Sequence, residues 1–187
     1  MEIVNPGYKQ QLQELHQDNR FNRSGSKLLK KIQPFLDQYN PSSILDFGCG
    51  HGHLIESIQS QYPNITVDGY DPGSIQYQTL PTGTFDAVVS LDAIEHIEPE
   101  LLIVNFEKLD AMIKRCAFFR IACYPAKKRL PDGRNCHLIV EHPDWWRSKL
   151  LTTMNVNIVK EKILVFDKSA RWPGVVGHIY DVVLEKK

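Results

Sequence analysis

The sequence predicts an α/β fold: a doubly wound sheet, mostly parallel, that ends in an antiparallel hairpin. Three observations carry that reading. Short apolar runs alternate with helical patterns over residues 43–122, the order that places helices on both faces of a parallel sheet. The run FDAVVS at residues 85–90 is apolar on both alternating faces, as in a strand covered from both sides. The last two strand-like runs, 157–166 and 175–184, are about eight residues apart, whereas a parallel crossover takes a dozen or more.

The elements follow in order. Residues 8–17 read as a short helix, followed by the polar stretch QDNRFNRSGS. Ser24 or Ser26 caps a second helix that runs to about residue 38, with Leu28, Leu29, Ile32 and Phe35 on one face. Asn40-Pro41 ends it, because a residue before proline is driven out of the helical region. Residues 43–47 form the first strand and 52–61 the next helix; a second strand, 65–70, closes on Asp71-Pro72-Gly73. The third strand, 85–90, precedes a helix over about 98–115, with Leu101, Leu102, Phe106, Leu109 and Met112 at helical spacing, and residues 117–122 return as a strand. Residues 124–142 carry turn signals without periodicity, a long loop of the kind that often serves function. Pro143 opens a helix in which Trp145 and Trp146 point about a hundred degrees apart, one into the core and the other toward a pocket. Only 14 residues separate Tyr70 from Phe85, so the sheet is expected to be trimmed at one edge.

The 187 residues suit one domain, with residues 1–40 as a helical cap on a ligand-binding core at 41–187. Lys plus Arg and Asp plus Glu both total 22, so no overall field steers the chain onto nucleic acid or an anionic membrane. No apolar stretch approaches a bilayer span and the first residues lack a signal-peptide core, which gives a cytoplasmic expectation and no membrane partner. Cys49, Cys116, Cys123 and Cys136 include no C-x-x-C pair and are expected as free thiols, Cys116 and Cys123 in the core.

The stretch ILDFGCGHGHL, residues 44–54, places three glycines at alternate positions where a strand turns into a helix. Glycine admits positive φ and a close ligand at a cost in conformational entropy, so three together imply that something sits against the turn. The dinucleotide fingerprint G-x-G-x-x-G fails in both registers, since its sixth position falls on His53 or Ile55. An acid, Asp46, instead precedes the first glycine, which disfavours a pyrophosphate and suits a ligand that brings an amine.

These residues resemble class I S-adenosylmethionine-dependent methyltransferases, particularly small bacterial and phage-type members. LDFGCGHG is similar to their first motif, Asp71 in GYDPG to their second, and FDAVVSLDAIEHI to their fourth strand and the loop after it. The resemblance implies a Rossmann-like sheet of order 2-1-4-5-7-6 in the family's naming, with strand 3 short or missing, and S-adenosyl-L-methionine as cofactor. It implies that Gly48, Cys49, Gly50 and Gly52 approach the methionine part, that Asp46 acts on its amine directly or by holding the loop, and that Asp71, followed by Pro72, accepts the ribose hydroxyls. Leu91 and Asp92 would line the methionine side, and Leu80, Pro81 and Thr82 are the wall left for adenine.

Methyl transfer from a sulfonium needs orientation and dry surroundings, with a base only where the acceptor must lose a proton. Two stretches offer candidates. Asp92, Glu95 and His96 are spaced to project from one helical turn, where histidine takes protons near neutrality. Some O-methyltransferases carry a comparable acid-x-x-Glu-His cluster with a metal, but many relatives with this Glu-His pair hold none, and no metal is expected here. The second stretch is LPDGRNCHLIVEHPDWW, in which Arg134, Asn135 and His137 face the mouth above the sheet. His96, His137 and Asn135 are thus the catalytic candidates, and the RFNRSG stretch is a candidate lid.

The leading expectation is a methyltransferase, monomeric or homodimeric, acting on a small or medium-sized acceptor such as a sugar or metabolite. RNA or DNA is the alternative acceptor, with Lys27, Lys30, Lys31, Lys127, Lys128 and Arg129 as phosphate contacts. SLDA stands where amino-methylases of nucleobases carry N/D-P-P-Y/F, which disfavours that chemistry. A cofactor-binding protein without catalysis is the third reading.

Overall fold

Strand β1, Ser43–Phe47, is flanked by two parallel neighbours, β2 (Thr66–Tyr70) and β3 (Phe85–Leu91). The computed structural model describes residues 2–16, 25–167 and 176–187, with the side chains of residues 25 and 26 left out. Beyond β3 comes β4 (Ile113–Cys123), parallel to it, and then the terminal pair β5 (Val156–Asp167) and β6 (Val176–Lys186). β6 lies between β4 and β5 and runs antiparallel to both. The order β2-β1-β3-β4-β6-β5 is the expected one, with no strand beyond β2 among the described residues.

Burial divides along the faces of the sheet. All seven positions of β3 are buried, as its apolar run on both faces requires. On one face, α2 (Gly25–Tyr39) and α3 (His53–Gln61) set Leu29, Ile32, Phe35 and Ile58 against Ile44, Val89 and Phe118. On the other, α4 (Leu102–Met112) and α5 (Pro143–Thr153) set Phe106, Leu109, Trp146 and Leu150 against Val88, Phe119, Ile121 and Val182. Asn40 ends α2 in a left-handed conformation, φ 41°, just before Pro41. Of the two expected caps, Ser24 lies outside the described residues, as does the lid stretch up to residue 24, and Ser26 falls within α2, which already starts at Gly25.

The first helix, α1 (Pro6–His16), sits apart from these layers. Its Tyr8, with Val4, Leu12 and Leu15 about it, packs against Leu130, Cys136 and Leu138 of the irregular loop in a small third core. Tyr8 Oη donates to the carbonyl of His96 (2.7 Å), Asn5 N–H to Glu98 (2.9 Å), and Asn105 Nδ2 to the carbonyl of Ile3 (2.9 Å). The N-terminal segment is thereby tied to the residues that follow β3.

Two expectations are corrected. The helix placed over 98–115 is a 3-10 turn at Pro99–Leu101 followed by α4, which passes without a loop into β4 at Ile113. Ile113 pairs with Phe85 and is buried, while Lys114 and Arg115 reach Asp86 of the adjacent strand (3.4 and 3.9 Å); β-branching and these ion pairs favour strand. Trp146 is fully buried as expected, but half-buried Trp145 packs edge-on against it (5.1 Å) under Lys149 and lines neither of the hollows described below. All four cysteines are buried and free. Among the described residues no helix is long and apolar enough to cross a membrane.

Trp146→Ala would leave a large void at the centre of the α4–α5 face. We expect a loss of about 3–5 kcal/mol, read as a lowered urea midpoint with unchanged slope.

Candidate active site

The turn after β1 folds back onto the end of β2. Gly48 N–H and Cys49 N–H both donate to the carbonyl of Tyr70 (2.7 and 3.1 Å), which fixes the loop against its neighbouring strand. Gly48 has φ 86°, and a Cβ there would lie 2.1 Å from the Cβ of Ala93; at Gly52, φ 81°, it would strike the Tyr77 hydroxyl at 2.5 Å and the ring at 2.7 Å. Both positions therefore demand glycine for conformation and for space. Asp71 closes the arrangement: Oδ2 accepts from Gly50 N–H (2.9 Å) and Oδ1 from Gly73 N–H (2.8 Å), with His16 Nδ1 3.9 Å from Oδ1. Burial lowers the pKa of His16, the Asp71 carboxylate pulling the other way.

Above this turn lies a cavity of about 340 Å³. Gly48, Gly50, Asp71, Pro72, Leu91 and Asp92 line it from the sheet side. Tyr8, Leu12, Leu15 and His16 of α1 contribute the opposite wall, with His96, Glu98 and Cys136 between. Six of the nine expected cofactor contacts thus share one hollow. Asp46, Cys49 and Gly52 do not line it; they are packed beneath or behind the turn. Leu80, Pro81 and Thr82 line an adjoining, wider hollow that shares Ile3, Val4 and Tyr70 with the first.

Asp46 is 2% exposed and its Oδ2 has no hydrogen-bond partner. Burial, reinforced by the Asp71 carboxylate, pushes its pKa up to about 7. The Cys49 thiol is raised by burial and by the same two acids.

At the end of β3 the expected cluster splits. Asp92 adopts φ 52°, a left-handed conformation that aspartate tolerates, and its carboxylate turns toward Arg120 Nε (3.8 Å). Arg120, itself buried, is held by both carboxylate oxygens of Asp181 (2.9 and 3.0 Å). Glu95 and His96 lie on the 3-10 turn Ile94–His96 and meet His137 instead. Glu95 is fully buried; Oε1 accepts from Ala122 N–H (3.1 Å) and lies 3.9 Å from His137 Nε2. Burial raises the Glu95 pKa well above its ordinary range, lowers His96 to about 3, and lowers His137. The rings of His96 and His137 stack edge to face at 4.8 Å.

Asn135 points into its own loop rather than the cavity. Its Oδ1 accepts from Ala126 N–H (2.8 Å) and His137 N–H (2.9 Å), and its Nδ2 donates to the carbonyl of Ala126 (3.1 Å). Arg134 pairs with Asp132 (2.8 Å) and extends over the Tyr8 ring. Sequence reasoning missed the α1 wall. Its one signal was the i, i+4, i+7 spacing of Tyr8, Leu12 and Leu15, an apolar face whose target the sequence did not reveal.

Residues 16–152 match the family model described as a methyltransferase domain. Among solved structures, coclaurine N-methyltransferase bound to N-methylheliamine and S-adenosylhomocysteine superposes with TM-score 0.63 at 12% identity, covering 98% of this chain and 89% of that one. Magnesium protoporphyrin IX methyltransferase from Synechocystis PCC 6803, with bound S-adenosylhomocysteine, gives 0.57 at 16% identity, covering 98% and 96%. The plantazolicin methyltransferase BpumL, with a desmethyl analogue and S-adenosylhomocysteine, gives 0.59 at 14%, covering 98% and 92%. No curated protein matches the sequence. The chain belongs to the methyltransferase domain family and has the class I, S-adenosylmethionine-dependent fold.

Asp46 carries a pH signature. Its folded pKa, about 7, exceeds the ordinary 3.8, so between these values the folded chain keeps a proton that the unfolded chain releases. Stability therefore falls as pH rises from about 4 to 7, by up to roughly 1.4 kcal/mol per unit from this group, and levels off above. Asp46→Asn should lack that slope, so that the stability of wild type minus that of the variant, from denaturation curves, itself falls between about pH 4 and 7. Gly48→Ala should lower stability and abolish ligand-induced stabilisation, as checked by thermal unfolding with S-adenosylhomocysteine.

Proposed function

We propose that this chain methylates a small or medium-sized acceptor, a sugar or other metabolite, bound in the hollow between α1 and the carboxyl ends of β1 and β3. The observation that carries the reading is the cavity itself, of about 340 Å³, with the glycine turn on one side and an apolar helix face on the other. Bound S-adenosylmethionine supplies an electrophilic methyl on a positive sulfur. The residues present fit that group: a glycine cradle whose Cβ positions are already filled by Ala93 and Tyr77, and a buried acid with an unpartnered oxygen.

Asp71 still has lone pairs beyond the two peptide hydrogen bonds, enough to accept a ribose diol. Asp46 answers the amine through the turn it underlies, its carboxylate becoming ionised as a positive charge arrives. Leu91 and Asp92 border the methionine side. His96, neutral at physiological pH because it is buried, accepts a hydrogen bond from the acceptor's O–H or N–H and aligns the nucleophile; the proton then leaves to solvent. His137 supports His96 from behind, and Asn135 is a positioning residue that holds the loop on which His137 sits.

The test is thermal unfolding with S-adenosylhomocysteine and with NAD. Ligand at a hundred times its Kd stabilises by about 2.7 kcal/mol, a rise in Tm of about 5–10 °C for a chain of this size. We expect that shift with the homocysteine compound alone; a comparable NAD shift would defeat the assignment. With a panel of hydroxylated and amino metabolites, homocysteine product should form, and His96→Ala should cut turnover while sparing cofactor affinity. Steeply salt-dependent oligonucleotide binding, through exposed Lys127, Lys128 and Arg129, would favour a nucleic acid acceptor instead.

A further inference from the structure

Glu95 and His96 arrive on the turn after β3, and His137 from the irregular loop that follows β4. Each offers a donor atom, and the three donors lie within 4.8 Å of one another. Asp92, which the sequence spacing would group with Glu95 and His96, is instead engaged with Arg120. We propose that Glu95, His96 and His137 bind a divalent first-row transition-metal ion of the Zn²⁺, Co²⁺ or Ni²⁺ type. This goes beyond methyl transfer; the ion would take the one free ring lone pair of His96 that the acceptor's O–H or N–H would otherwise meet, so the two roles of His96 exclude each other.

Three features support the assignment. First, the donor set suits the ion: two imidazole nitrogens and a carboxylate oxygen match borderline metals better than the oxygen-only shell preferred by Mg²⁺ or Ca²⁺. Second, the His137 ring is oriented as metal-binding histidines are, with the remote nitrogen fixed by a backbone carbonyl. His137 Nδ1–H donates to the carbonyl of Tyr124, which leaves the Nε2 lone pair facing Glu95 at 3.9 Å. The Cys136 backbone lies beside the His96 ring and favours its protonated form.

Third, Glu95 is fully buried, yet its Oε2 has no hydrogen-bond partner. An unsatisfied buried acceptor of this kind is costly and uncommon, and a cation removes the cost. Metal–ligand bonds of about 2.0–2.1 Å set donors roughly 3–4 Å apart, so the cluster has to close by only about 1 Å. The backbone is already drawn together there, because Ile139 N–H donates to the carbonyl of Glu95 (3.1 Å). An ion at this point would pin the 124–142 loop to the turn that borders the cavity. The competing account is a protonated Glu95 donating to His137, with no ion.

Chelator-treated full-length protein titrated with Co²⁺ decides between them. We expect one ion per chain, visible absorption bands of a nitrogen-ligated site, and a Tm rise on the order of 5 °C at saturation. His137→Ala and Glu95→Gln should lose the bands and weaken binding at least tenfold. His142→Ala, which removes one ring of the surface pair formed with His178 (5.0 Å), should change neither. Wild-type binding no tighter than that of His137→Ala, or loss of binding in His142→Ala, overturns the proposal. If Glu95→Gln fails to fold, His137→Ala suffices, because His137 lies on a loop. Stabilisation of the metal-free protein by S-adenosylhomocysteine is read separately, so failure here is distinct from failure of the methyltransferase reading.

Discussion

Asp71 receives the peptide N–H of Gly50 on one carboxylate oxygen and that of Gly73 on the other, and so joins two loops that leave adjacent parallel strands. A parallel sheet exposes its strand ends to loops that have no hydrogen-bonding partner of their own, and peptide groups there must be satisfied individually. Here the carbonyl of Tyr70 takes two N–H groups and Asp71 two more. The left-handed glycines, the packing of Tyr77 over Gly52 and the shape of the cavity floor all follow from that closure.

The same edge of the sheet concentrates buried acid. Asp46, Asp71 and Glu95 are buried near the ends of β1, β2 and β3, while Arg120 is the only lysine or arginine buried to that degree among the described residues. Arg120 is already committed to Asp181 and Asp92. Burial without a counter-charge raises a carboxyl's pKa, as at Asp46 and Glu95, and leaves it receptive to an arriving cation. An ammonium at the glycine turn and a metal ion at Glu95 would relieve the same kind of electrostatic debt at two separate places.

Much of the sheet was legible because its signals are local. The both-face apolar run of β3 and the short spacing of the terminal hairpin required its position and direction, and the spacing before Phe85 foretold a sheet ending at β2. The boundary at Ile113 was hidden because Leu109 and Met112 continue a helical period right up to a residue whose strand partner, Phe85, is distant in sequence. At the site, the motif residues Gly48, Gly50, Asp71, Leu91 and Asp92 line one hollow. Asp92 departs from Glu95 because the turn between them is 3-10 and starts only after a left-handed residue, a fact of backbone geometry that spacing alone does not encode. The union of His137 with Glu95 and the wall supplied by α1 depend on packing across the chain, and no short window of sequence contains it.

Among the described residues, a phenol, a peptide N–H and a side-chain amide tie residues 3–8 of the roof to the segment that follows β3, over a small apolar cluster, and His16 beside Asp71 holds the far end of α1. A segment that lies outside the sheet can lift without disturbing it, since local opening costs far less than global unfolding. Anything coupled to the chain ahead of Ile3 would tug on that roof, whereas Lys187 leaves beside Asn155 at the opposite end of the strands. Immobilisation handles and fluorescent reporters therefore belong at the carboxyl terminus.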